Sequence, residues 1–120
     1  MRALLIALII ALAAAPAFGA SINLAWTAPT TNEDGSALDD LAGHYVYCTD
    51  IAGEYSDPIC KIDVGMDTSA TVEMLVDGGT YFFVVTAYDD NLNESDPSNE
   101  VSNTFPYLCP SPPGGLTIVP

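Results

Sequence analysis

Thr80–Tyr88 reads TYFFVVTAY, with Asp77-Gly78-Gly79 before it and the polar run Asp89–Pro97 after it. Aromatic and β-branched residues fill the stretch, and turn formers close both ends. It therefore predicts a strand with a tight turn before it and a loop after it. It is the longest and most apolar strand signal in the chain.

Working outward, the same chemistry repeats. Ser21–Ala28 (SINLAWTA) alternates, with Ile22, Leu24 and Trp26 on one face. Residues 29–40 hold TTNEDG and SALDD and read as a loop. Gly43–Thr49 (GHYVYCT) and Ile59–Val64 (ICKIDV) are strands joined by a turn over Asp50–Pro58, and Ala70–Leu75 (ATVEML) alternates again. Beyond the opening stretch, Ser98–Phe105 is a final strand. The tail, Pro106–Pro120, is rich in Pro and Gly and carries an apolar segment at Leu116–Val119. Six short strands with turn signals between them and no helical period argue for one antiparallel β-sandwich. Alternation assigns an inward face: Ile22, Leu24, Trp26, Val46, Ile62, Val64, Val72, Leu75, Tyr81, Phe83, Val85, Ala87 and Val101. At roughly 1.5–3 kcal/mol for each large side chain buried, such a set offsets the ordering entropy of a small domain.

Several ordered motifs carry a family resemblance. Trp26 is followed by Pro29. Leu41-Ala42-Gly43 leads into HYVYC. Leu75, Gly78 and Tyr81 form a Leu-x-x-Gly-x-x-Tyr turn, YFFVVTAYD follows it, and NESDPSNEVS closes the series. Over residues 21–105 the chain resembles a fibronectin type III domain of the kind found in bacterial and phage secreted proteins. The resemblance implies an all-β, antiparallel immunoglobulin-like sandwich of about six to seven strands. It makes Trp26, Leu75 and Tyr81 structural core residues. Tyr81, across a Gly-Gly turn from Leu75, suits a tyrosine corner. Two departures stand out. The family's opening strand has no counterpart, because residue 20 lies almost at the start of the second strand. The tail PSPPGGLTIVP looks like the opening strand of another such domain. An exposed edge beside Trp26 and a strand-like tail together allow strand addition, within one chain or between chains.

The first 19 residues are expected to be a signal peptide. Arg2 is the positive start, Ala3–Ala15 the uncharged apolar run, and Ala17-Phe18-Gly19 the small-residue cleavage site. The domain then spans 20–105 and the tail 106–120, and the expected location is secreted, periplasmic or cell-surface. Cleavage after Gly19 leaves all 16 acidic residues against Lys61 alone, a net charge of −15. Such a chain repels phosphates and anionic headgroups, so neither nucleic acid nor, after cleavage, a membrane is an expected partner.

Three cysteines in an exported chain invite pairing. Period-2 counting places Cys48 with His44 and Val46, and Cys60 with Ile62 and Val64, on one face of a hairpin. A Cys48–Cys60 disulfide is expected there, worth about 3 kcal/mol at most because the loop is short. Cys109 is left as a free thiol, a link between chains, or a competitor for one of the other two.

No nucleophile, base and acid are spaced as a catalytic set, and His44, the one histidine, reads as a core or edge residue. No enzyme activity and no cofactor are expected. Asp89, Asn91 and Asn93 resemble the start of a calcium loop. However, Glu94 stands where such a loop needs glycine, so they are weak candidates beside ordinary turn chemistry. The outward face is more suggestive. Tyr45 and Tyr47 should neighbour Phe82, Val84 and Tyr88, making an apolar and aromatic patch of the kind that binds. The expected function is a secreted, non-catalytic binding or adhesion module for an unidentified protein or surface glycan. Two alternatives stand beside it: a structural subunit assembling by C-terminal strand donation, and a carbohydrate-binding accessory domain.

Overall fold

The computed structural model describes residues 9–12, 20–75, 78–105 and 110–120; the side chains of residues 9–12, Ala20, Met74 and Leu75 lie outside that description. Seven strands are seen among the described residues: β1 (Ile9–Leu12), β2 (Ala20–Trp26), β3 (Leu41–Thr49), β4 (Cys60–Gly65), β5 (Ser69–Leu75), β6 (Thr80–Asp89) and β7 (Val101–Thr104). They form two antiparallel sheets, ordered β1-β2-β5 and β4-β3-β6-β7. This is the β-sandwich expected from the alternating strands.

The core lies where period 2 places it. Ile22, Leu24 and Trp26 from β2 and Val72 from β5 meet Val46 from β3 and Tyr81, Phe83 and Val85 from β6. Ile62, Val64 and Val101 pack against that cluster at its margin, and Ala87 is also buried. Phe105 joins the core beyond the end of β7, with its ring edge-on to Tyr81 at 5.9 Å. The backbone of Phe105 bonds both Gly78 and Gly79, which ties the chain end to the turn before β6. Leu75 lies in β5 as the motif requires, but its side chain is outside the described residues.

His44 is fully buried and edge-on to Trp26, 5.6 Å between ring centroids. A histidine tolerates this because its Nδ1 can donate to the Gly65 carbonyl at 3.0 Å. Burial holds its pKa below the ordinary 6.5, and backbone contacts with Gly65 and Asp67 only partly oppose that shift. This neutral ring joins the two sheets, β3 to β2.

Within residues 20–105 no strand precedes β2, as expected, but in the full chain the edge of β2 is not bare. Ile9–Leu12, within the apolar run read as a leader, pairs with β2: Ile9 stands opposite Trp26, Ala11 opposite Leu24 and Leu12 opposite Asn23. The physical reason is the edge itself. Unpaired N–H and C=O groups along β2 accept any extended segment, and IIAL is short, apolar and rich in Ile. The tail shows the reverse: Leu116–Val119 forms no strand, and its apolar side chains are exposed.

The last strand is also shorter than expected, β7 in place of Ser98–Phe105. Before it, the segment 94–98 still runs along β6 but pairs differently. The amides of Ser95 and Ser98 donate to the carbonyls of Ala87 and Val85, at 2.7 and 2.8 Å. In return, the amides of Ala87 and Val85 donate to the Ser95 and Ser98 hydroxyls, both at 2.9 Å. Pro97 cannot donate to a ladder. Serine side chains on either side of it stand in for backbone acceptors and keep β6 satisfied.

Candidate functional site

The outward face of β4-β3-β6 carries a connected run of tyrosines. Tyr45 and Tyr47 project from the same side of β3 because they are two residues apart. Their rings meet edge-on at 6.3 Å. Tyr88 stacks on Tyr45 at 4.7 Å, and Tyr55, from the β3–β4 loop, meets Tyr47 at 6.5 Å. Tyr88 reaches Tyr45 because Gly43 opposes it in register and has no side chain in the way. A Cβ at Gly43 would sit 2.6 Å from Tyr88 Cζ.

Each hydroxyl but that of Tyr45 is held by a carboxylate. Tyr47 donates to Glu94 Oε2 at 2.5 Å, and Thr86 donates to the same oxygen at 2.6 Å. Tyr88 donates to both oxygens of Asp63, at 2.9 and 3.0 Å. Tyr55 donates to Glu100 Oε2 at 2.7 Å, which also accepts the Gly53 amide. Burial and the Glu94 carboxylate push the Tyr47 pKa up, and burial and Glu100 do the same to Tyr55. For Tyr88 the bond to Asp63 is the main cause of an upward shift. All three phenols therefore stay protonated as donors. Lys61 completes the face. Its ammonium lies 4.5 Å from the Tyr45 ring centre and 5.5 Å from that of Tyr47, within cation–π range.

Of the five expected face residues, the structure brings Tyr45, Tyr47 and Tyr88 into contact, and Phe82 lies opposite Thr49 on the same sheet. Tyr45, Tyr47, Phe82 and Tyr88 are partly exposed. Val84 is the correction: it pairs with Tyr47 in register yet is only 3% exposed, because the strand is covered on both sides there. It offers no surface to a partner. Alternation could have found Lys61 and Asp63 as face residues, since they flank the inward Ile62. Tyr55, Glu94 and Glu100 reach the face from loops, where no period exists to read.

Cys48 and Cys60 are directly opposite in the β3–β4 register and joined by a disulfide, with Cα atoms 5.0 Å apart. Cys109 lies outside the described residues. The calcium candidates form a closed turn. Buried Asp89 accepts the amides of Asn91 and Asn93 and the Asn93 side-chain amide, at 2.9–3.1 Å. Donors already occupy its oxygens, and Glu94 is turned away to Tyr47. The loop after β6 meets the loop before β3, where the Asp90 amide donates to the Asp40 carbonyl at 3.1 Å. Among the described residues, no group of three or more His, Cys, Asp or Glu could hold a metal ion.

The sandwich matches solved structures over most of its length. A structure of the chicken CNTN1 FN1-FN3 domains superposes with a TM-score of 0.67 at 13% identity, over 85% of this chain and 30% of that one. The fold is that of a fibronectin type III domain. The fibronectin type III domain of human fibronectin type III domain containing protein 3 gives 0.61 at 26% identity, covering 85% of each chain. An Fn3-like protein from Clostridium thermocellum gives 0.60 at 21%, covering 86% of this chain and 93% of that one. No family model matches the sequence, and no curated protein matches it significantly. The fibronectin type III fold sets the frame here, and the tyrosine face is built on it from this chain's own residues.

Proposed function

We infer that this fibronectin type III domain is an exported, non-catalytic binding module that uses the tyrosine face of β4-β3-β6. The observation that carries the reading is the pairing of three tyrosine hydroxyls with three carboxylates around rings that already hold an ammonium. Tyrosines present large contact areas at low entropic cost and are favoured at binding hot spots. The carboxylates give the face a negative potential, and the surrounding charge reinforces it. The chemistry that fits is a basic protein surface, whose Lys or Arg side chains would take the place of Lys61 over Tyr45 and Tyr47. Export is supported by the leader-like N-terminus and by the disulfide, a bond of oxidising compartments.

The test is an NMR titration of the labelled protein with an oligo-lysine peptide. Shift changes should cluster at Tyr45, Tyr47, Tyr55, Lys61 and Tyr88, and Tyr47→Ala should weaken binding about tenfold, roughly 1.4 kcal/mol. Changes scattered over the acidic loops and indifferent to Tyr47→Ala would sink the reading. A neutral oligosaccharide shifting the same residues, where the peptide does not, would favour a carbohydrate-binding accessory domain.

A further inference from the structure

The edge of β2 is held by residues that belong to the expected leader. Signal peptidase hydrolyses one peptide bond: water adds its OH to the Gly19 carbonyl and a proton to the Ala20 nitrogen. Residues 1–19 then leave, and β1 leaves with them. The β1-β2-β5 sheet becomes two strands, and β2 exposes the backbone groups that had paired with Ile9–Leu12. A bare edge of this kind is a template for another strand, and a two-stranded sheet gains from a third.

The same chain carries a segment of the right length and pattern. Leu116-Thr117-Ile118-Val119 is four residues long, as β1 is. Extended, it puts Leu116 and Ile118 on one face. Both are essentially fully exposed, at 97% and 98%. In an antiparallel pairing they take the register positions of Ile9 and Ala11, opposite Trp26 and Leu24.

Geometry favours a second copy as the donor. Thr104 lies opposite Thr80, and Ala20 opposite Leu75, so the tail leaves the sandwich at the pole where β2 begins. β1 runs towards that pole. To lie as β1 does, a chain's own tail must first climb the length of β2, about 23 Å for a strand of seven residues, and then reverse. The eight residues from 106 to 113 can span at most about 26–29 Å, so the climb takes nearly all of their reach. Pro110, Pro112 and Pro113 stiffen this stretch against such a reversal. A neighbouring molecule needs no reversal.

We propose that, in the chain freed of its leader, residues 116–119 of a second copy replace β1 along β2. The contact is head-to-tail, since the donor and acceptor surfaces differ, so it propagates into an open series. The proposal rests on the leader reading and is independent of the tyrosine face.

The test starts from the full chain carrying Cys109→Ser, which removes disulfide-linked association, expressed with export and purified. Intact mass reports whether residues 1–19 are gone. Light scattering across a concentration series then reports assembly. The expected result is a cleaved chain that forms a ladder of oligomers. Ile118→Lys should raise the concentration needed by more than about tenfold, while its circular dichroism and thermal melt stay those of a folded sandwich. A cleaved chain that stays monomeric up to millimolar concentration overturns the proposal. So does a monomer whose amides at 116–119 are protected from exchange, which would be self-pairing. Assembly unaffected by Ile118→Lys overturns the tail as donor. A retained leader overturns the premise itself, and intact mass identifies that outcome.

Discussion

The two sheets of this sandwich are held together in different ways. The β4-β3-β6-β7 sheet is cross-braced. A disulfide joins β3 to β4, serine hydroxyls complete the β6 ladder beside Pro97, and carboxylates from β4 and the β6–β7 loop pin three tyrosines. The β1-β2-β5 sheet has none of these among the described residues. Its side-chain link is Thr71 to Asn23, an exposed hydrogen bond at 2.7 Å, and its outer strand comes from the expected leader. Rigidity therefore resides in one sheet and the capacity for exchange in the other. One sheet is locked and can present a defined surface. The other relies on apolar packing and an edge that has to be filled.

The largest test of that contrast is the disulfide. Replacing Cys48 and Cys60 together by alanine should cost about 3 kcal/mol in urea unfolding. If the loss were below about 1 kcal/mol, the brace would be redundant and the contrast between the sheets weak. The next effect compares one hydroxyl from each sheet. Ser98→Ala leaves the buried Val85 amide without its acceptor and should cost about 1–3 kcal/mol, whereas Thr71→Ala, in solvent, should cost under about 1 kcal/mol. Equal losses would show that β6 finds another acceptor.

The smallest effect concerns the junction between the sheets. Above pH 6.5, His44 is neutral whether folded or unfolded and adds no pH dependence. Its folded pKa is depressed. Below pH 6.5 the unfolded chain therefore binds a proton that the folded chain refuses, and stability falls as pH falls towards the folded value. Urea midpoints measured from pH 7.5 to 5.5 should decline more in the parent than in His44→Leu. Parallel declines would mean that the junction admits a charged ring.

Much of this architecture is legible in the sequence. Alternation at Ile22, Leu24, Trp26, Val46, Phe83 and Val85 placed the core, and the same count put both disulfide cysteines on one face of a hairpin. Tyr45, Tyr47 and Tyr88 were legible as neighbours for that reason. Val84 was not, because period 2 says which way a residue points but not what lies above it. The recruitment of Glu94, Glu100 and Tyr55 was hidden too, since loops have no period and the serine substitution that carries Glu94 along β6 looks like ordinary turn chemistry.

Five of the strands, the direction in which their side chains point and the disulfide pairing follow from a two-residue repeat that local chemistry writes directly. What fills the β2 edge and which carboxylates hold the tyrosines emerge only in three dimensions. Both are matches between segments far apart in the chain. Backbone edges accept any extended partner, and a phenol accepts any carboxylate within reach, so three-dimensional proximity makes the choice.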